Sequence, residues 1–349
     1  MSISAFDHPF LSGLLGDEEV SAYFSAEADI RAMLTFEAAL AKAEARHGIV
    51  PQEAAQRIAE ISTSFQLDIF SLKSATATDG VVVPDLIKQL RKAVGDEAGQ
   101  HVHFGATSQD VIDSSLMIRL KAVAFLLAGR LFAVAAALEK LDKQHGSNRL
   151  MGHTRMQAAI PITVSDRLRA WRDPLDKYRD RLTQETFPIQ FGGAVGTLDK
   201  LGSKAADVRA SLAQELDLTD EPQWQSQRAR VAELAGLFSL ISGSLGKIGQ
   251  DIALLAQAGD EIELAGGGGS SAMPHKQNPV AAEVLVSLAR FNAVQLSGIH
   301  QSLVHEQERS GAAWTLEWLL LPPMAMATAA SLRLARELIS NVRRLGAAA

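Results

Sequence analysis

From Val231 onward, apolar residues return at alternating steps of three and four: Val231, Leu234, Phe238, Ile241, Leu245, Ile248, Ile252 and Leu255. That spacing predicts one helix of about seven turns with a narrow apolar seam. Its flanks carry Ala, Gly and Ser, small enough for neighbouring helices to approach closely. One short partner cannot cover so long a seam, so the pattern implies a bundle of comparably long helices. The absence of proline between Pro84 and Pro161 leaves residues 110–145 as a second long helix. Pro161 starts or bends a third, running to about 186. Pro279 suits the first turn of a fourth, to about 307, where its missing N–H costs nothing. The Pro322-Pro323 pair opens a fifth, to about 344. The first hundred residues read differently, as shorter helices broken at "GIVPQ" (48–52) and "TATDGVVVPD" (76–85). The expected fold is all-α, with a smaller N-terminal helical domain (1–104) and a central bundle of five long helices (105–349).

Composition narrows the function. The 349 residues are 47% hydrophobic, enough for a large core. Aromatics make up only 5%, and Ala, Leu, Glu, Gln and Arg favour helix almost everywhere. Lys plus Arg number 34 against 40 Asp plus Glu, a net charge of -6 that argues against non-specific nucleic-acid binding. With no cysteine, disulfides, thiolate catalysis and Cys-ligated metal sites are excluded. The opening "MSISAFDHPF" lacks the basic head and apolar run of a secretory signal. The most apolar stretch, 121–140, is interrupted by Arg130 and falls short of a membrane span. A soluble, cytoplasmic protein without nucleic-acid or membrane partners is expected.

Polar islands interrupt the apolar pattern. "GGGGSSAMPHKQNP" (266–279) places four glycines, Ser270, Ser271 and Lys276 ahead of a helix that Asn278 and Pro279 enter. Glycines permit rearrangement, and the free N–H groups of a helix start favour an anion. The segment reads as a mobile lid over a carboxylated substrate, or as a plain interhelical linker. It is not a nucleotide-binding loop, because the Gly-Lys-Ser/Thr ending is missing. "HVHFGATSQDVIDSS" (101–115) sets His103, Thr107, Ser108, Gln109, Asp110 and Asp113 at a helix start, where a hydroxyl also serves as a cap. "GHTRMQAAIPIT" (152–163) sets His153, Thr154, Arg155 and Gln157 at what reads as another helix start. Together the three islands offer several directed donors to carboxylate oxygens. In "HEQERSGAAWTLEW" (305–318), His305, Glu306 and Glu308 lack metal-binding HExxH spacing. That stretch reads as a charged helix end followed by a Trp-containing turn on the bundle.

These residues carry a resemblance. "GSSAMPHKQNP" (269–279) matches the signature GSSxMPxKxNP of the fumarase/aspartase superfamily, and "GATSQDVIDSS" and "GHTRMQAAIPIT" resemble its other two active-site regions, in order. Within the superfamily, "HFGATSQDVIDS", "IQFGGAVGTL" (189–198), the HERxxxxWxxEW-like stretch at 305–318 and residues 30–55 are most similar to the 3-carboxy-cis,cis-muconate cycloisomerase branch. Two departures stand out. Arg155 follows the threonine of the second region where the lyases carry a histidine, with His153 two residues earlier. The chain also ends after the fifth long helix, where many relatives continue into another small helical domain, so a truncated C-terminal domain is expected.

The resemblance implies a lactonisation of a tricarboxylate without metal or cofactor. A lyase-type elimination releasing fumarate and an inactive scaffold are the rival readings. It implies Ser270 as proton carrier, activated by Lys276. Thr107, Ser108, Thr154, Arg155, Gln157, Ser271, Met273 and Asn278 would hold substrate. His153 stays open to a catalytic and a structural reading. It further implies a homotetramer whose active sites are shared between subunits.

Overall fold

The computed structural model describes residues 4–269, 273 and 277–347. Two short helices, α1 (Ser12–Leu15) and α2 (Glu18–Ala22), lead into α3 (Ala26–Arg46), α4 (Gln52–Ser64), α5 (Ile69–Asp79), α6 (Val83–Val94) and the single turn α7 (Asp96–Gly99). Then α8 (Ser108–His145) runs for 38 residues, about 57 Å at 1.5 Å per residue. A hairpin of β1 (Arg149–Thr154) and β2 (Gln157–Thr163) precedes α9 (Val164–Gln184) and the shorter α10 (Ala205–Glu215). Next come α11 (Ala229–Ala258), β3 (Ile262–Leu264), β4 (Gly268–Gly269), β5 (Gln277–Asn278), α12 (Val280–Gln301), α13 (Gly311–Ser340) and β6 (Val342–Leu345).

The bundle is formed by α8, α9, α11, α12 and α13. Arg228, just before α11, bonds Asp113 near the start of α8 and Glu317 near the start of α13. These three helices therefore start at one end, and α9 and α12 return. Every position of the Val231–Leu255 seam is buried. Small residues set the spacing: a Cβ on Gly249 would lie 2.5 Å from the Ala282 carbonyl oxygen, and one on Gly246 2.5 Å from the Ala289 Cβ, both on α12. Asn292 of α12 ties the interior together, donating to Ser242 of α11 and Thr328 of α13, each at 3.0 Å. One large cluster of buried apolar residues fills this bundle. A second joins α3, α4 and α6 to the first turn of α8, to residues 189–216 and to Trp314.

Two prolines sit elsewhere than the sequence pattern suggests. Pro161 lies within β2, on a two-stranded ribbon where a missing N–H is tolerated. The helix starts only at Val164, where Thr163 caps it by accepting from the Asp166 N–H while Asp166 accepts from the Thr163 N–H. Pro322 and Pro323 lie inside α13, which Ser310 caps at its start. The lost donors do not end the helix because Leu321, Met324, Ala325 and Thr328 are buried around them, and packing outweighs local propensity.

By length and composition, α8, α11, α12 and α13 could each cross a membrane. In this fold they are bundle helices, with the apolar windows of α11 and α13 mostly buried. Large apolar side chains still face outward from them, including Phe125, Phe132, Leu240, Val294 and Leu319.

Candidate active site

At one end of the bundle, the start of α8 is locked into two neighbouring loops. Asp110 is fully buried, and its carboxylate accepts from the Thr107 N–H (3.0 Å), Gln190 Nε2 (3.0 Å), the Gly192 N–H (2.9 Å) and the Gly193 N–H (2.9 Å). Burial pushes its pKa up to about 6, and the four donors offset only part of that effect. The contacts pin the Gly-rich "GGAVG" segment against the helix start. Gly193 has a positive φ of 68°, and a Cβ there would stand 3.0 Å from the Gly105 carbonyl oxygen.

One turn further along, Asp113 accepts from Gln109 Nε2 (3.1 Å), Trp314 Nε1 (3.1 Å) and both terminal nitrogens of Arg228 (2.5 and 3.1 Å). The Arg228 guanidinium also clasps Glu317 at 2.9 and 2.5 Å and lies 4.6 Å from the centre of the Trp224 ring. Burial works against the charge on Arg228, yet its two carboxylate partners raise its pKa overall. Burial is the largest influence on Glu317 and opposes its ionisation, but the hydrogen bonds and charge of Arg228 together with neighbouring His305 outweigh it, holding the carboxyl below its usual range. The His305 ring is buried beside this cluster, its Nε2 3.9 Å from Glu317, beyond hydrogen-bond distance.

Arg309 completes this end. Its Nε donates to Gln109 Oε1 at 2.9 Å, and its Nη2 to Thr107 Oγ1 and to the Ala194 carbonyl, each at 3.3 Å. Among the described residues no hydrogen-bond partner meets its Nη1. Arg309 is exposed, beside half-buried Thr107 and Ser108. Sequence reasoning missed Arg309, because one arginine between Glu308 and Ser310 looks like part of a charged rim. Its stretch is not a helix end: residues 305–310 form a loop with a turn at 307–308, and Trp314 and Glu317 stand in the first turns of α13 instead of in that turn.

The second polar island lies at the other end. "GHTRMQAAIPIT" forms the β1–β2 hairpin instead of a helix start. Alternation of Ala158, Ile160 and Ile162 suits a strand, and Pro161 disfavours helix through it. Gly152 permits the close pairing, since a Cβ there would meet the Ile160 carbonyl oxygen at 2.8 Å. Arg155 and Met156 make the two-residue turn with φ of 48° and 64°, the left-handed geometry of a tight hairpin. Thr154, Arg155 and Gln157 are exposed, and so is His153, whose Nδ1 is 3.1 Å from the Met151 carbonyl oxygen. The hairpin base is tied down by the Met151 N–H to Glu261 bond (2.6 Å) and by pairing of Arg149 with Ala347.

The third island emerges at this same end. Asn278, half-buried on β5, pairs with Gly268 of β4, and Met273 is exposed. Ser270, Ser271 and Lys276 lie outside the described residues. Thr107, Ser108 and Arg309 thus gather at the start of α8, while His153, Thr154, Arg155, Gln157 and Asn278 belong to its far end. The helix length of about 57 Å separates the two groups within one chain.

The comparisons agree with this architecture. The family model described as lyase (Lyase_1) matches residues 14–293. The chain is 40% identical to a 3-carboxy-cis,cis-muconate cycloisomerase of Pseudomonas aeruginosa, over 92% of its own length and 72% of that protein. It is 34% identical to an N-acetyl-S-(2-succino)cysteine lyase of Enterococcus italicus, over 98% of this chain and 77% of that one. The crystal structure of the 3-carboxy-cis,cis-muconate lactonizing enzyme from Pseudomonas putida superposes with a TM-score of 0.89 at 36% identity, covering 96% of this chain and 77% of the other. With its long-helix bundle, its three polar islands and these similarities together, the chain belongs to the Lyase_1, or fumarase/aspartase, family.

Proposed function

We propose that this chain is a lactonizing enzyme, converting 3-carboxy-cis,cis-muconate into 4-carboxymuconolactone. The observation that carries the reading is Arg309, held between Thr107 and Gln109 at the N-terminus of α8. A fixed guanidinium beside a helix start is suited to a carboxylate, through paired charged hydrogen bonds and the helix dipole. Similarity to cycloisomerases of two pseudomonads supports the choice of substrate.

In the reaction, one carboxylate oxygen of the substrate forms a C–O bond to the β-carbon of an unsaturated acid. The π electrons move onto the neighbouring carboxylate as an aci-carboxylate, and a proton is then delivered to the α-carbon. One proton is consumed, and atoms otherwise balance by rearrangement. The site's task is to stabilise extra negative charge on a group that is already anionic, which preorganised cations and dipoles accomplish. Ser270 is assigned as proton carrier, with Lys276 stabilising its alkoxide. Lys276 and Asn278 hold the carboxylate that becomes the aci form, alongside Ser271 and Met273. Thr107, Ser108 and Arg309 hold another carboxylate, and Thr154, Arg155 and Gln157 the third. His153, exposed on the hairpin, is the candidate for a second proton-handling group.

These residues reach one substrate only if chains lie side by side, the far end of one against the α8 start of another. A homotetramer satisfies that need and covers the outward apolar side chains Phe125, Phe132, Val294 and Leu319. Placement in the cytoplasm and in aromatic catabolism through protocatechuate belongs to the same proposal.

The test is ultraviolet absorbance of 3-carboxy-cis,cis-muconate with purified protein and added chelator. Loss of the diene signal with lactone as product supports the reading, and Ser270→Ala is expected to abolish turnover while sparing the tetramer. A second reading, β-elimination from a succinyl compound, draws on the 34% identity to the succinocysteine lyase. Arg155, standing where the lyases place a histidine, argues against it. Release of fumarate from a succinylated thiol or from adenylosuccinate, with the muconate untouched, would establish it.

A further inference from the structure

The buried cluster behind Arg309 gives a task to a residue that the proposed chemistry does not use. Gln109 is fully buried. Its Nε2 donates to Asp113 Oδ2 at 3.1 Å and to the Gln225 carbonyl at 2.7 Å, so both amide hydrogens have acceptors. Only one orientation of the amide satisfies this, and it turns Oε1 toward Arg309 Nε at 2.9 Å. Asp113 cannot swing away, because Arg228 and Trp314 hold it and Glu317 holds Arg228.

We infer that Gln109 is a positioning residue, locked by Asp113, that aims the Arg309 guanidinium at a substrate carboxylate without neutralising it. The inference rests on the reading of Arg309 as a carboxylate anchor. A neutral acceptor is what the task requires. A carboxylate in the same place would fix Arg309 equally well but would pair with its charge and compete with the substrate.

That contrast supplies the test. In Gln109→Glu, an oxygen replaces Nε2 and faces two acceptors, Asp113 and the Gln225 carbonyl. The other charged groups around it are Asp110 on α8, Arg228 before α11, Arg309 before α13 and Glu317 within α13, with His305 beside Glu317. Two acceptors with no proton between them favour the protonated acid. At low pH the variant then mimics glutamine, and at high pH its carboxylate discharges Arg309.

The experiment measures Kd for propane-1,2,3-tricarboxylate by calorimetry, together with KM and kcat for 3-carboxy-cis,cis-muconate. It is run near pH 6 and near pH 8 on the intact protein and on Gln109→Glu, Gln109→Met and Arg309→Gln. Ratios to the unsubstituted protein at each pH cancel the titration of Asp110. For Gln109→Glu, Kd and KM are expected to rise about tenfold near pH 8 and less than about threefold near pH 6, with kcat within about threefold. Gln109→Met should weaken binding at both values. Either Gln109 substitution should add less than about twofold in an Arg309→Gln background, because it acts through that side chain. Equal Gln109→Glu ratios at both pH values, or full additivity with Arg309→Gln, would overturn the inference. Should Gln109→Glu fail to fold, Gln109→Met and its additivity with Arg309→Gln decide alone. No binding of the tricarboxylate by the unsubstituted protein also overturns it. Binding without turnover of the muconate refutes the lactonizing reaction and leaves the Gln109 result standing.

Discussion

The two ends of the bundle are built on opposite principles. At the start of α8, the buried charges of the candidate site are paired inside one chain: Asp110 by four donors, Asp113 by four, Arg228 by two carboxylates. At the far end, Thr154, Arg155 and Gln157 stand exposed on a two-stranded ribbon. A buried charge must be paired where it folds, whereas an exposed one can wait for a neighbour. The near end is therefore preorganised by folding, and the far end is available to another chain. Substitutions at the near end should cost stability first, and those at the far end activity first.

The largest effect is expected for Asp113→Ala. It leaves Arg228 buried with Glu317 alone and strips Gln109 and Trp314 of their acceptor, a loss of about 3–5 kcal/mol in chemical denaturation. A loss below about 1 kcal/mol would mean the near end is not the fold's fixed point. Gly249→Val tests the bundle between the two ends. Its Cβ would meet a backbone oxygen and the Leu285 Cβ at 2.8 Å, so about 2–3 kcal/mol should be lost through overpacking.

The pairing rule is broken elsewhere, on α3. Glu44 is fully buried, neither carboxylate oxygen has a hydrogen-bond partner among the described residues, and its pKa is pushed up to about 9, by burial first and Glu37 second. The folded state favours the protonated acid, so this group's contribution is complete below its ordinary 4.5 and is lost as pH rises through about 9. Glu44→Gln keeps the neutral shape and should raise stability by about 2 kcal/mol near pH 8, with little gain near pH 4. A gain independent of pH, read from Tm at both values, would show that Glu44 is not the titrating group.

Asp110 gives a smaller, opposed pair of effects. Its folded pKa of about 6 lies above the ordinary 3.8, so acid does not remove the stability it contributes; that contribution is complete below 3.8 and fades as pH rises through about 6. Activity should move the other way. Protonation removes acceptor capacity for Gly192 and Gly193, and turnover should fall up to about tenfold per unit below pH 6, a cost near 1.4 kcal/mol. The acid limb should vanish in Asp110→Asn, at a lower plateau. An acid limb unchanged in that variant would belong to another group.

How much of this was legible in the sequence depended on whether a residue's neighbours lie along the chain or across space. The 231–255 seam foretold its helix because a helical period is local, and the glycines beside it foretold close packing with α12. The signature islands carried the family because their residue types and order persist without any knowledge of the fold. The prolines misled, since Pro161 and Pro322-Pro323 report only a missing donor and a local clash. Whether a ribbon or a buried helix absorbs that cost is decided by partners far away in sequence. Arg309 was hidden for the same reason: Thr107 and Gln109, which give it a role, lie about two hundred positions earlier. Ser270, Ser271 and Lys276 stood out by their place in a Gly-rich segment ahead of a helix start, and their assigned roles rest on the signature.

The smallest effect on the fold, and the sharpest test of the comparison, is expected for Arg155→Ala. The side chain is exposed at the hairpin tip, with no hydrogen bond or ion pair among the described residues, so unfolding should change by less than about 0.5 kcal/mol. The backbone carries some strain at φ 48°, and Arg155→Gly, which relieves it, should stabilise the hairpin slightly. Activity is a separate matter. If the hairpin reaches a neighbour's α8 start, both substitutions should raise KM with the fold and the oligomer intact. Mixing Arg155→Ala chains with Arg309→Gln chains, each impaired at low substrate, should then restore part of the turnover, because some sites in the mixed assembly draw each residue from an intact chain. No recovery on mixing, with mixed assemblies demonstrated by mass, would mean that both arginines serve the same site from one chain, and the division between a self-sufficient end and an open one would fall.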